Sequence, residues 1–306
     1  MTTISSSEPQ PQAARERVPL RLILAQRGLD GVTLLLLPAA LFIIALFVYP
    51  FIYGLVLSIE PKTGDWLANY RKFFSEAFLY DTIAKTMWLA LPSTLVNILI
   101  SVPVAMRVRL MRRQRLLTTI LVLPITLGTV LIAEGLLNYL GPQGWLNRTL
   151  LLFGLVSSPI RLVHNYWGVF LSLVVSGFPF TFLLALSYVT GIDPSLEQAA
   201  ATLGAGARAR FWNIFLPLLA PGLAITFCLS FVQTFSVFPS AVLLGAPAGV
   251  TRVISIAAYQ AAYEQYDYSM ASAIAMIMGF FQLLVVVIVL AARGLFYRGP
   301  AAGAKG

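Results

Sequence analysis

The sequence predicts an all-α, polytopic membrane protein built from six spanning helices. Two observations carry that expectation. Of 306 residues, 58% are hydrophobic and 11% are charged, too few charges for a globule solvated by water on all sides. The charges are also confined to short stretches between six uncharged runs, at 31–59, 86–106, 116–133, 162–192, 211–251 and 268–292. Each run is near or beyond the ~18 to 20 residues that a spanning helix needs.

The first run follows a polar segment, residues 1–30, that carries Arg15, Arg17, Arg21 and Arg27. It is much longer than the roughly 7 to 15 apolar residues of a cleavable signal, so it is expected to stay as an anchor. Pro50, Pro92, Pro103, Pro124, Pro179 and Pro239 lie in or beside the runs. They predict bent helices in a tight bundle, where neighbouring groups satisfy the carbonyls that proline leaves free.

Charge placement sets the expected orientation. The first 30 residues, the 107–115 loop, the 190–217 segment and the C-terminal stretch hold fourteen of the twenty-one Lys and Arg residues. By the positive-inside rule these parts, and both termini, are expected to be cytoplasmic. The net charge of +9 is then a topological signal, and nucleic acid is not an expected partner. One cysteine, Cys228, and one histidine, His164, leave no basis for an intrachain disulfide or a metal cluster. The expected layout is a tail at 1–30, a six-helix transmembrane domain at 31–295 with a loop at 190–217, and a second tail at 296–306.

The 190–217 segment is the most informative. Asp193 is placed to cap a helix whose first residue is Pro194, and Gly204 or Gly206 to end it in a left-handed turn. Ala199, Ala200 and Ala201 give that helix a face of little bulk, suited to close docking in a partner's groove. A second short helix is expected to run into Pro217. Read from Gln198-Ala199-Ala200, the chain continues with Gly204, Ile214, Leu216 and Pro217. This spacing resembles the EAA loop of permease subunits of type I binding-protein-dependent ABC importers: Glu-Ala-Ala, three residues, Gly, nine residues, Ile, any residue, Leu-Pro. One position departs: Gln198 stands where that family has glutamate, and the acid is one place earlier, at Glu197. The stretch at 254–259, with Tyr263, Asp267 and Met270-Ala271-Ser272-Ala273, is similar to the spermidine/putrescine-type permeases.

The resemblance implies a permease in the bacterial inner membrane that moves a small polar solute inward. It implies that Glu197, Gln198, Ala199, Ala200, Gly204, Ile214, Leu216 and Pro217 couple the chain to an ATPase dimer. It further implies a second, homologous permease subunit, a periplasmic substrate-binding protein and membrane lipid as partners. ATP and Mg would be bound by the partner ATPase, and no cofactor by this chain. None of the four lysines, at 62, 72, 85 and 305, follows a glycine, so no phosphate-binding loop ending in Gly-Lys-Ser/Thr is present, and no catalytic residue is assigned.

Candidate pathway residues are Glu134, Asn138, Gln233, Thr234 and Ser236. Glu134 is the one acid expected inside a span, where a carboxylate faces a cavity or partner, or else lies near the headgroups. Gln143 and Asn147 could continue a polar path from it. Gln233, Thr234 and Ser236 read either as pathway lining or as hydrogen-bonding glue between helices. Trp145 and the 259–268 stretch read as a dock for the binding protein or as interfacial anchors. The resemblance favours polyamines, opines and related small solutes, and Glu134, Glu264 and Asp267 would suit a cation, whereas the aromatic stretch 235–239, which has no acid, would equally suit an amino-acid or sugar conjugate. The rival reading is an ion-gradient-driven transporter or channel, which would favour ionisable groups at the bilayer centre.

Overall fold

A computed structural model describes residues 31–296, with side chains from 35 to 293. The expected tails fall outside the described residues, except for Phe296. Every regular element among the described residues is helical, and six helical stretches are long and apolar enough to cross a membrane. The chain divides into two units at Gly54 and Leu55.

The first unit carries α1 (Gly31–Ile43) and a π-helical turn (Ile44–Val48), after which α2 (Tyr49–Ser58) begins. Its described sequence is apolar on every face, the pattern of a helix solvated by lipid or other helices rather than by water.

The second unit adds α3 (Ala68–Ser75), α4 (Ala77–Arg109), α5 (Gln114–Leu140), α6 (Trp145–Leu152), α7 (Tyr166–Thr190), α8 (Pro194–Thr202) and α9 (Ala207–Arg210). A π-helical turn (Phe211–Phe215) leads into α10 (Leu216–Phe235), followed by α11 (Pro239–Leu243), α12 (Ile254–Tyr259), a third π-helical turn (Gln260–Glu264) and α13 (Tyr268–Phe296). The spanning helices of this unit are α4, α5, α7, α9 running into α10, and α13.

The α4–α7 pair is the centre of the bundle. On α4 the buried residues Thr82, Thr86, Ala90, Ser93, Asn97, Ser101, Ala105 and Val108 recur in steps of three and four, forming one face of small and polar side chains. Small residues let backbones approach and hydroxyls bond locally, which drives association where there is no water to expel. Asn97 donates to the Leu173 carbonyl at 3.2 Å. A methyl at Gly177 would lie 2.5 Å from the Asn97 amide nitrogen, so any larger residue there would displace the Asn97 side chain. Thr181 and Ser230 pair at 2.9 Å, linking α7 to α10.

The uncharged runs locate the spans but not their ends. Helix α4 has 33 residues against the 21 of its run, because Asp81, Lys85, Arg107 and Arg109 lie in its terminal turns. At 1.5 Å per residue it is about 50 Å long, beyond the ~30 Å apolar core, so those charges reach water. The 211–251 run is one span and more. Helix α10 stops at Phe235, and Pro239 opens the short α11. Proline does bend and free groups as expected: Pro92 leaves the Trp88 carbonyl without its helical N–H, and the Tyr166 hydroxyl donates to it at 3.0 Å. The break in α5, however, is at Gly128, with φ 71° and ψ 162°, four residues after Pro124.

Candidate functional site

The 190–217 segment folds largely as its residues dictate. The Asp193 carboxylate accepts from the Ser195 N–H at 2.8 Å, and Pro194 occupies the first helical position, where no N–H is needed. These contacts, the Ser195 backbone N–H first and then its side chain, hold the Asp193 carboxyl below the usual carboxylate range. Helix α8 ends in a Schellman motif: Gly204 N–H bonds Ala201 O and Ala205 N–H bonds Ala200 O, both at 3.0 Å. Gly204 takes φ +82°, the left-handed value this motif requires, whereas Gly206 at φ −65° and ψ 162° precedes α9 in extended form. The second short helix is not separate. Helix α9 continues through the π-helical turn into α10, so Ile214, Leu216 and Pro217 belong to the root of that span.

No side chain of α8 is buried. Leu196 and Leu203 are 46% and 88% exposed, and Gln198 and Ala199 are exposed beside a half-buried Ala200. Glu197 is different. Its carboxylate lies 3.5 Å from Arg109 at the end of α4 and 3.6 Å from Arg210 at the end of α9. The acid is engaged within the chain, and Gln198 is left on the outer face of the helix.

The structure separates the five candidate pathway residues. Gln233, Thr234 and Ser236 line a cavity of about 100 Å³ where α10 gives way to α11, together with Thr129, Ser176, Gly177, Phe238 and Ser240. Its polar lining is neutral throughout. Glu134 and Asn138 are not part of it; both are exposed on α5, and Asn138 donates to the Glu134 carbonyl of its own helix at 3.0 Å. Gln143 is likewise exposed, while buried Asn147 bonds Gly141 O and Ile160 O at 2.9 and 3.0 Å, closing the α6 loop. Glue is present as well: Gln282 of α13 donates to Ser236 at 2.7 Å, and Ser172 pairs with Ser240 at 2.8 Å. Ser176, Ser240 and Gln282 were missed from sequence. The available signal was the excess length of the 211–251 run, with Pro239 marking a chain break inside it.

At the end of α4 away from α8, Arg252 is 2% exposed. It donates to Phe78 O at 2.6 Å, makes two bonds to the Gln260 side-chain oxygen at 2.8 and 3.0 Å, and lies 3.7 Å from the Phe78 ring centroid. Burial pulls its guanidinium below the ordinary arginine range, while the charge of Glu264 opposes that shift. Asp267, expected to suit a cation, caps α13 through Met270 N–H at 3.0 Å and sits 3.9 Å from Lys62. Around them Tyr263, Tyr266 and Tyr268 are exposed, as is Trp145 of α6.

Three kinds of comparison place this architecture. The chain is 26% identical over 176 residues to the probable sulfate transport system permease protein cysT of Prototheca wickerhamii, covering 58% of this chain and 67% of that one. It is 30% identical over 172 residues to the spermidine/putrescine transport system permease protein PotB of Haemophilus influenzae, covering 51% and 58%. With the PotB of Escherichia coli the match is 28% over 147 residues, 47% of this chain and 53% of that one. The aligned parts thus span about half to two thirds of these relatives. In fold it is similar to a chain of a bacterial alginate ABC transporter crystallised with an alginate pentasaccharide-bound periplasmic protein, at TM-score 0.76 and 21% identity over 92% of this chain and 99% of that one. A second alginate ABC transporter structure gives TM-score 0.73 at 19% identity, with 90% and 98% covered. Residues 94–299, two thirds of the sequence, from the middle of α4 through α13, match the profile of the binding-protein-dependent transport system inner membrane component, and the chain belongs to that family of ABC importer permeases.

Proposed function

We propose that this permease moves a small polar solute into the cytoplasm, driven by ATP that a separate subunit binds with Mg and hydrolyses. The single observation that carries the reading is α8: a capped, exposed helix with small residues on its face, at the positions of the EAA loop. In this reading α8 and the roots of α4 and α10 are cytoplasmic, and the tyrosine-rich opposite end meets a periplasmic binding protein. A second, homologous permease subunit completes the pathway, and an ATPase dimer receives α8.

The neutral cavity at the α10–α11 break is the part of the pathway contributed by this chain. Polyamines, opines and related amine or amino-acid conjugates remain the proposed solutes, handled through hydroxyls, an amide and aromatic rings rather than through a fixed carboxylate. The names of the relatives span polyamine and sulfate, so solute class is tested directly. The complex is reconstituted in liposomes with ATP and Mg on the α8 side, and labelled putrescine, spermidine, an opine and sulfate are supplied with the binding protein on the other. ATP-dependent uptake of an amine or opine, abolished by Ala200→Arg in a normally assembled complex, is the expected result. Uptake that ignores ATP and follows an imposed ion gradient would establish the secondary-transporter reading instead.

A further inference from the structure

We propose that Arg109, Glu197 and Arg210 form a latch that fixes the coupling helix to the membrane bundle, so that the acid works inside this chain and Gln198 faces the partner. The proposal rests on the reading of α8 as the ATPase contact.

The geometry begins with Arg109. Its side chain is 11% exposed and donates at 2.8 Å to the Val189 carbonyl in the last turn of α7, which the Ile192 N–H reaches only at 3.4 Å. The guanidinium also lies 5.3 Å from the Phe215 ring centroid, at the root of α10. Its other terminal nitrogen is 3.5 Å from Glu197, while Arg210 approaches the second carboxylate oxygen at 3.6 Å. One carboxylate therefore joins α8 to α4 and to α9, and through Arg109 to the end of α7. Arg109 and Glu197 line a small cavity of about 30 Å³ together with Met106, Val189 and Phe215.

Among the described residues nothing else of this kind holds α8. It buries no side chain of its own, so apolar packing does not fix its position. Successive helical residues point about 100° apart, so Glu197 and Gln198 cannot face the same way. An acid at 197 reaches back to the bundle; an acid at 198 would face outward. The displaced acid is thus matched to two arginines that could not meet it one position later. A helix tied at these points moves with α4 and α10 as a body rather than swinging about its end turns.

The test uses the full chain in lipid nanodiscs, with spin labels on Leu110→Cys and Leu203→Cys, exposed at 67% and 88%, in a Cys228→Ser background. The expected result is one narrow distance distribution that broadens about twofold in Glu197→Gln and in 1 M salt, since partly exposed pairs are screened. The double variant Glu197→Gln with Gln198→Glu restores the family's usual acid without restoring the latch, so it is expected to stay as broad as the single variant. An unchanged width in Glu197→Gln, or a narrow distribution regained in the double variant, would overturn the proposal. In the reconstituted complex, solute moved per ATP hydrolysed is expected to fall about tenfold in both variants. Coupling regained by the double variant would show that the acid contacts the ATPase and would also overturn the latch. The spectroscopic arm needs no partner. If it behaves as expected while the wild type shows no ATP-driven uptake, the latch stands and the import reading fails.

Discussion

The two ends of α4 are built differently. At one end Arg252 is buried and holds Phe78 O and Gln260 through hydrogen bonds of 2.6 to 3.0 Å. Nearby, Asn69 donates to Ser58 O and Ser269, and Ser269 donates to Leu57 O and Glu60 O, so α2, α3 and α13 share one buried polar knot. At the other end the contacts of α8 are ion pairs of 3.5 and 3.6 Å between partly exposed groups, and the helix itself buries nothing. Short bonds to backbone carbonyls in a dry site are costly to break, whereas ion pairs between partly exposed groups hold by less and are screened by salt. The comparison separates an end fixed by its own chain from an end left open for another.

The largest expected effect lies at the fixed end. Arg252→Ala leaves Phe78 O and Gln260 without their donor and is expected to lower stability by roughly 3 kcal/mol. Thermal unfolding of the full chain in detergent reads this, with Arg252→Lys intermediate because one ammonium cannot serve the same three bonds. An unchanged unfolding midpoint in Arg252→Ala would dissolve the contrast between the ends.

A smaller and more local effect is expected at the open end. A Cβ at Gly204 would meet no atom within 4 Å, so the main cost of Gly204→Val is the strain of a left-handed backbone, about 1 to 2 kcal/mol. Hydrogen exchange at the Gly204 and Ala205 amides, the donors of the Schellman motif, should accelerate about tenfold while global unfolding stays in place. Loss of the whole fold in this variant would mean that α8 is part of the core.

The smallest effect is a pH dependence of the same helix. The Asp193 carboxyl is lowered by its Ser195 contacts, so its cap is fully present above the unfolded value and is lost as pH falls through the lowered one. Relative to Asp193→Asn, protection of the Ser195 amide should therefore decline only below about pH 4. A decline that appears equally in Asp193→Asn would assign it to some other group.

The spans, the α8 cap and the Gly204 stop were legible in the sequence because each depends on neighbours a few residues apart. Hydrophobic runs determine which segments enter lipid, Asp193-Pro194 determines where a helix starts, and glycine determines where the chain can turn left-handed. Side-chain destinations were not legible. Glu134 was open to reading as a pathway acid or as a group near the headgroups, and its local sequence did not say that it would stand exposed on α5, apart from the cavity lined by Gln233, Thr234 and Ser236. Asp267 looked free to bind a cation but caps α13. Glu197 looked like a misplaced docking charge, and only the arrival of α4 and α9 beside it gave the carboxylate two arginines. The sequence by itself thus determined the number of spans, their apolar extent and the shape of the coupling segment. Tertiary structure decided which polar groups meet, because those meetings join residues 8 to 212 positions apart that no local pattern encodes.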